Sequence, residues 1–347
     1  MRGSRVHSSR THFIRIHDPL AFAAGVAFAK SPPPEHEMRT FVFGLALLPI
    51  AAPVVCSQMM NTGGGRPSVS LDGKWIAYSA ARNGRWDVYV VHPDGSDGRQ
   101  VTNVGEPTFV NLGPPTWIDD RVLILRRIND TTRLSLVDLR SAPAETPVLA
   151  NHSAQWLVGA IQLRPSPDGK RLVFLHGTRG RPRVAVANVD GTGFHDLTDS
   201  TVIGINPDWS RDGKRIAFTV VDAASHGQIA VVDADGANYH VITHFDPSDG
   251  LPQWANWAPG DKRLVIQAGR YNPQTIEEST AHLWLVDVVT GETTKLAPHA
   301  GMSLDETPCW FPDGKRIAFQ SNRTGVMQVW TMNADGTDPR QVTAFHP

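Results

Sequence analysis

Hydrophobic and polar positions alternate in short runs along most of the chain, and the runs recur in a fixed order. The segments Trp75–Tyr78 and Val88–Val91 are rich in aromatic and β-branched residues, which favour strands. An Asp-Gly dipeptide precedes the first run at Asp72 and follows the second at Asp94. This dipeptide is a strong hairpin signal, because a type I′ turn needs positive φ at both central residues. The pattern predicts short antiparallel strands joined by tight turns.

The same order of turn, strand, polar gap, strand and turn occurs in four stretches of the sequence. The two Asp-Gly turns are 22 residues apart in three of these units and 23 apart in the fourth. Each unit has a further strand before its first turn, such as Pro207–Ser210, and another that ends in Val-Thr, Leu-Thr or Ile-Thr. Two degenerate units begin near Pro115 and Pro252.

Six such units predict an all-β fold, a six-bladed β-propeller of four-stranded antiparallel blades over residues 67–347. The tryptophans that recur in the units are interpreted as core residues between stacked blades. Whether a strand near residues 61–66 joins the last blade stays open at this point.

The repeated pattern W-S-x-D-G-K, I-A-F, D-x-D-G and L-T resembles the WD-like repeat of the TolB propeller family. The match runs from about Arg66 to Thr343. The resemblance implies a propeller that works in the bacterial envelope. TolB proteins also carry an amino-terminal α/β domain, and we expect the propeller here without that domain. The resemblance therefore does not extend to the whole of TolB or to a literal Tol-Pal role.

The segment before the repeats predicts export. Residues 38–57 combine a short charged start with an apolar run of signal-peptide length, and residues 58–66 read as a flexible junction. Residues 1–37 are interpreted as a mis-annotated or disordered leader, with a real targeting extension as the alternative. We expect a periplasmic protein with no transmembrane span after signal removal. Lipidation at Cys56 is the alternative to cleavage after Ser57.

Composition and motifs limit the classes of partner, cofactor and catalytic site that the chain is expected to have. The 347-residue chain has a formal net charge of −1, which gives no support for nucleic-acid binding. Its two cysteines do not make a disulfide framework, and Cys309 is interpreted as a small buried apolar residue. The sequence has no Gly-x-Ser-x-Gly elbow, no phosphate-binding glycine loop and no complete calcium loop. We therefore predict no cofactor, no metal site and no catalytic residues.

The links between the second and third strands of each unit, and between units, should share one face of the propeller. These loops differ from unit to unit, and variable loops on a rigid scaffold commonly carry binding sites. The predicted partner-binding residues on this face are Arg82, Arg85, Arg126, Arg127, Arg179, Arg181, Arg270, Tyr271, Glu277, Glu278 and His282.

The charges on this face also predict a basic rim in the first three units and an acidic rim from Asp199 onward, which would orient a charged partner. The predicted acidic rim includes Asp305 and Glu306, with Arg323 among the opposing charges. The alternative is that these charges are solvated loop tips.

The leading functional hypothesis is a non-catalytic, monomeric interaction module that binds a peptide or a lipoprotein partner. Two alternatives stay open. One is a glycan-binding or carbohydrate-active propeller of lyase or hydrolase type, since oligogalacturonate lyases carry similar repeats. The other is an accessory propeller of a separately encoded hydrolase.

Overall fold

The computed structural model describes residues 64–82, 85–103, 113–128, 131–141, 145–148, 160–178, 181–222, 226–271, 279–296 and 303–344. These residues form six four-stranded antiparallel sheets, which confirms the predicted six-bladed propeller. The predicted leader, signal and most of the junction lie outside the described residues, so their boundaries remain predictions. No helix in the described ranges is long and apolar enough to cross a membrane.

Each blade is built from four consecutive strands, numbered from the axis outward. The first three blades comprise β1 (Gly65–Val69), β2 (Ile76–Arg82), β3 (Arg85–Val91) and β4 (Arg99–Gln100); β5 (Thr116–Ile118), β6 (Arg121–Ile128), β7 (Thr131–Asp138) and β8 (Glu145–Pro147); and β9 (Ile161–Pro165), β10 (Arg171–Thr178), β11 (Arg181–Asn188) and β12 (His195–Asp196). The last three comprise β13 (Ile203–Trp209), β14 (Arg215–Val221), β15 (Gly227–Asp233) and β16 (His240–Val241); β17 (Leu251–Trp257), β18 (Arg263–Arg270), β19 (Thr280–Asp287) and β20 (Thr293–Lys295); and β21 (Asp305–Trp310), β22 (Arg316–Ser321), β23 (Gln328–Asn333) and β24 (Arg340–Gln341).

Among the described residues, the two ends of the ring meet by side-chain packing, and no described strand is shared between the first and last blades. Strand β1 pairs with β2 of its own blade, and the last blade is complete from β21 to β24. Buried residues of blades 1 and 6 form one apolar cluster that includes Tyr78, Tyr89 and Phe311. Gly65 and Arg66 thus belong to blade 1, while residues 61–63 lie outside the described residues.

The core is distributed over the interfaces between blades. Six apolar clusters occur among the described residues, and each joins two neighbouring sheets. Trp117, Trp209, Trp257 and Trp310 each lie in a different cluster. The interpretation of the repeated tryptophans as core residues is confirmed for these four, whereas Trp75 is half-buried at the edge of the cluster between blades 1 and 2.

The turn after the innermost strand is tight but differs from the predicted type I′ hairpin. In the turn of blade 1 only Gly73 has a positive φ, of 71°, while Asp72 does not. The amide of Gly73 donates to the carbonyl of Ser70, and the amide of Trp75 donates to the Ser70 hydroxyl oxygen. The Ser70 hydroxyl donates to Asp72 at 2.7 Å. These side-chain hydrogen bonds hold a longer loop that needs only one left-handed residue.

Candidate binding site at the propeller axis

One residue from each innermost strand forms what we call the axial ring. Its members occupy equivalent positions, because each pairs with the third residue of the second strand, or in blade 1 with the second residue. They precede the repeat tryptophan or its counterpart in the sequence. The axial ring consists of Ser68, Thr116, Arg164, Asp208, Asn256 and Cys309.

Hydrogen bonds link the axial ring from blade to blade. The Asn256 amide donates to Asp208 Oδ2 at 2.9 Å, and the Trp310 backbone N–H donates to Asn256 Oδ1 at 2.8 Å. The Arg164 Nε lies 3.9 Å from Asp208 Oδ1. Burial raises the pKa of the Cys309 thiol, which keeps the thiol neutral. The ring therefore presents six different side chains, several of them within a connected polar network.

The tryptophans fix the backbone of this ring. The indole N–H of Trp117 donates to the Ser68 carbonyl at 2.9 Å, and that of Trp209 donates to the Arg164 carbonyl at 3.2 Å. Each of these bonds joins one blade to the blade before it. The repeated tryptophan therefore fixes the backbone of the variable axial-ring residue in the preceding blade. The site consequently rests on a rigid scaffold.

A β-bulge on the innermost strands lies next to the axial ring in five blades. The first bulge residue has a left-handed backbone, with φ between 47° and 55°, although none of the five is glycine. These residues are Arg66, Gln162, Asn206, Trp254 and Thr307. Such conformations are strained for residues with a Cβ and occur often at functional sites.

Glutamine side chains from neighbouring blades stabilise three of the bulges. The Arg66 N–H donates to Gln320 Oε1 at 2.6 Å, and the Thr307 N–H donates to Gln267 Oε1 at 2.6 Å. In blade 4 the Asn206 N–H donates to Gln162 Oε1 at 2.7 Å. The bulged backbone is therefore held by bonds that cross between blades.

Gln267 and Gln320 also belong to what we call the Tyr271 cluster, with Tyr271 and Glu306. The Tyr271 hydroxyl donates to Glu306 Oε1 at 2.5 Å and accepts from Gln267 Nε2 at 2.9 Å. Gln320 Nε2 donates to Glu306 Oε2 at 2.7 Å. The Tyr271 side chain is thus anchored at its hydroxyl, while the residue as a whole is 41% exposed. It follows β18 and lies on the variable-loop face.

Burial changes the ionisation of this cluster. Burial of the hydroxyl, together with the nearby Glu306, raises the pKa of Tyr271 well above its ordinary value. Burial also raises the pKa of Glu306, although hydrogen bonds from Tyr271 and Gln320 oppose the shift. The phenol consequently stays protonated and acts as the donor.

Arginines and carboxylates meet along the axis. Burial lowers the pKa of Arg66, while Glu306 raises it and Arg164 lowers it further. Burial raises the pKa of Asp208, against the influence of Arg164 and Arg211. Three guanidinium groups therefore lie within electrostatic reach of two carboxylates.

A shallow cavity of about 590 Å³ lies on the opposite face, beside the Asp-Gly turns. Arg171 and Arg215 in its lining stack on Trp209 and Trp257, with guanidinium-to-ring distances of 4.6 and 4.7 Å. Since these arginines are engaged in joining blades, we place the candidate site at the axis and not in this cavity.

The predicted partner-binding residues are distributed over several blades. Arg82 and Arg85 pair across β2 and β3, and the Arg82 guanidinium lies 4.6 Å from the Tyr89 ring centre. Arg126 and Arg127 lie near the end of β6. Arg181 begins β11 as an exposed residue.

Blade 5 holds the remaining described members of that prediction. Arg270 ends β18 directly before Tyr271, and His282 is a half-buried residue of β19. Burial lowers the pKa of His282. Arg179, Glu277 and Glu278 lie outside the described residues. Tyr271 is the predicted residue that the structure connects to the axis.

Three charges expected at the rims are instead buried or half-buried. Arg323 Nη2 donates to both oxygens of Asp305 at 2.9 Å, and each side chain is only 6% exposed. Glu306 is half-buried and belongs to the Tyr271 cluster. None of the three acts as a free rim charge, because strands β21 and β22 bring them against protein groups.

Sequence reasoning missed the axial ring. The signal was present, since the residue before the repeat tryptophan changes chemistry from unit to unit while its neighbours repeat. The bulge could not be predicted from the sequence. It determines which side chains of the innermost strand face the axis.

Comparisons with known proteins place the chain among propellers. No protein-family model matches it. An uncharacterized protein of Agrobacterium fabrum is 27% identical over 186 residues, covering 51% of this chain and 56% of that protein. A TolB homolog of Chlorobium chlorochromatii is 26% identical over 160 residues, covering 46% of this chain and 33% of that protein. The chain is thus matched over only part of these relatives' lengths.

Solved structures share the fold at low identity. TolB from Acinetobacter baumannii superposes with a TM-score of 0.60 at 19% identity, over 79% of this chain and 64% of that one. A puromycin hydrolase variant gives 0.56 at 14% identity, over 89% and 57% of the two chains. A chain of a nidogen/laminin complex gives 0.56 at 15% identity, over 75% and 90%. The TolB-like propeller fold expected from the repeat is confirmed.

Proposed function

We propose that this chain is an exported, non-catalytic propeller that binds a peptide segment or a lipoprotein domain over the central opening of its variable-loop face. The observation that carries the proposal is Tyr271, an exposed aromatic side chain whose hydroxyl is fixed at the axis by Glu306 and Gln267. A rigid tyrosine with an anchored polar end binds a partner at little cost in side-chain entropy.

The similarities to known proteins support an interaction function but identify no partner. The repeat resembles that of TolB, and one fold neighbour comes from a protein–protein complex. The puromycin hydrolase neighbour instead belongs to an enzyme, so the fold alone does not choose between interaction and catalysis. The periplasmic location and the signal over residues 38–57 are part of the same proposal.

Site-specific photo-crosslinking tests the proposal. A photoreactive amino acid replaces Tyr271 in the chain expressed in its own host, and cross-linked products are identified by mass spectrometry. Tyr239 provides a matched control, because it is 40% exposed but follows β15 on the face of the Asp-Gly turns.

The expected result is a discrete protein adduct at position 271 that is absent at position 239. The same bands at both positions, or none at 271, would contradict the interaction function. In that case assays for glycan binding and for lyase or hydrolase activity take priority.

A further inference from the structure

Arg164 is the axial-ring residue with the most hydrogen-bond donors that the described residues leave unpaired. Its side chain is only 18% exposed, yet it makes no side-chain hydrogen bond to any described residue. Its nearest carboxylate oxygen, Asp208 Oδ1, is 3.9 Å away, which exceeds hydrogen-bond distance. A guanidinium carries five N–H donors, and no Arg164 nitrogen is among the described atoms that are fully buried without a partner, so the unused donors keep access to the axial opening.

Asp208, which lies near Arg164, and Glu306, which acts on Arg66, both have neutral donors of their own. Asp208 Oδ2 accepts from the side chain of Asn256 at 2.9 Å and lies 3.4 Å from the Trp257 backbone nitrogen. Glu306 accepts from Tyr271 and Gln320. The anionic groups of the axis are therefore held in place without using the planar edge of Arg164.

Two other arginines act on the same region of the axis as Arg164. Arg164 lies close enough to Arg66 to lower the pKa of Arg66, and Arg211 acts on Asp208 from the turn side. The planar edge of the Arg164 guanidinium is matched by a planar, bidentate anion, and a carboxylate has this geometry.

We propose that Arg164 binds a carboxylate of the partner, supplied either by an acidic side chain or by a chain terminus that enters the axial opening. This inference rests on the proposed function, because it names the chemistry of the segment that docks there. It assigns Tyr271 to the mouth of the site and Arg164 to its interior.

Three small probes test the site without a known partner. N-acetylglutamate α-amide carries a side-chain carboxylate, N-acetylglycine carries a terminal one, and N-acetylglutamine amide is the neutral counterpart of the first. Binding to the protein as purified from its host is measured by saturation-transfer NMR at constant ionic strength. We expect saturable binding of at least one carboxylate and a Kd at least tenfold higher for the neutral amide.

Variants separate recognition from stability. Arg164→Gln should raise the Kd of the preferred carboxylate at least tenfold, and Arg164→Lys should restore it in part, because lysine keeps the charge but not the bidentate edge. Arg340→Gln is the control, since Arg340 is exposed on the outermost strand of blade 6. Thermal melts followed by circular dichroism verify that each variant is folded.

Several results would overturn the proposal. Equal binding of the carboxylate and its neutral amide, or no binding of any probe, removes the anion site. Unchanged carboxylate affinity in folded Arg164→Gln, even with a lower Tm, assigns Arg164 a purely structural role. If Arg164→Gln does not fold, Arg164→Lys carries the test, and an unchanged Kd in that variant counts against bidentate recognition.

The outcome is independent of the crosslinking experiment. A protein adduct at Tyr271 without carboxylate binding would refute the inference and leave the interaction function standing. Carboxylate binding without an adduct would support an anion site and count against a protein partner. The two proposals therefore fail in distinguishable ways.

Discussion

The buried ion pair between Asp305 and Arg323 offers the sharpest test of how charges pack in the last blade. Arg323 Nη2 contacts both carboxylate oxygens, and the Ser321 hydroxyl donates to Asp305 Oδ1 at 2.6 Å. The guanidinium also lies 5.1 Å from the Phe319 ring centre and 4.9 Å from that of Trp330. Arg323 is thus enclosed by groups that cannot replace the carboxylate.

Asp305→Ala should strongly destabilise the propeller, because it leaves Arg323 charged and buried with only the neutral Ser321 hydroxyl, 3.1 Å from its Nε, as an acceptor. Removing one partner of a buried pair costs roughly 3–5 kcal/mol. For a domain of this size each kcal/mol lowers Tm by about 2–4 °C, so the expected decrease is on the order of 10 °C. Thermal unfolding followed by circular dichroism measures the change.

Arg340→Ala is the matched control, because Asp338 itself has a left-handed backbone with φ 52° that alanine would strain. Asp338 pairs with Arg340 at 2.8 Å, but the two side chains are 52% and 75% exposed. Such a surface pair contributes about 0–1 kcal/mol, so the Tm should change little. The double variant Asp305→Leu with Arg323→Met should recover most of the loss by replacing the charges with apolar volume. Equal effects of Asp305→Ala and Arg340→Ala would refute the burial argument.

Three further predictions concern the backbone, the core and the pH response. Gly250→Ala should lower the free energy of unfolding by more than about 1 kcal/mol, because Gly250 has φ 88° and an added Cβ would lie 2.2 Å from the Gly269 carbonyl oxygen; chemical denaturation measures the loss. Trp257→Phe should cost about 1–3 kcal/mol by the same measurement, since it removes the indole donor to the Asp208 carbonyl and leaves a void in the core; an unchanged stability would show that the bond is dispensable. Burial raises the pKa of Glu306 above its ordinary value of 4.5, so the folded state binds the proton more tightly than the unfolded state. The contribution of Glu306 to stability therefore falls as pH rises from 4.5 to the higher pKa of the folded state. Glu306→Gln should lack this component, and parallel pH profiles of Tm for the two proteins would contradict the assignment.

The structure reduces the set of charges on which the hypothesis of a basic and an acidic rim is based. Asp305, Arg323 and Glu306 are removed from it, whereas Arg82 and Arg181 remain exposed on the variable-loop face. Charge reversal at Arg82 or Arg181 should therefore weaken partner capture mainly at low salt, if the rim steers encounter. Unchanged capture and salt dependence would support the alternative of solvated loop tips.

The sequence by itself determined the architecture. Tryptophans, β-branched runs and Asp-Gly turns at a fixed spacing specify one blade, and six repetitions specify a ring. These are local signals, because each strand, turn and blade interface involves residues that recur in the same order. The burial of Trp257 and Trp310 could be predicted for the same reason.

Only the tertiary structure decided the site. Arg164, Asp208 and Asn256 are each more than 40 residues apart in the chain, and the ring closure brings them to one axis. The bulges turn the innermost strands, and their left-handed residues carry no glycine signal. Whether a charge is a rim charge or a buried partner depends on which strand faces it. Asp305 shows this, because its environment is supplied by Arg323, which follows the next strand.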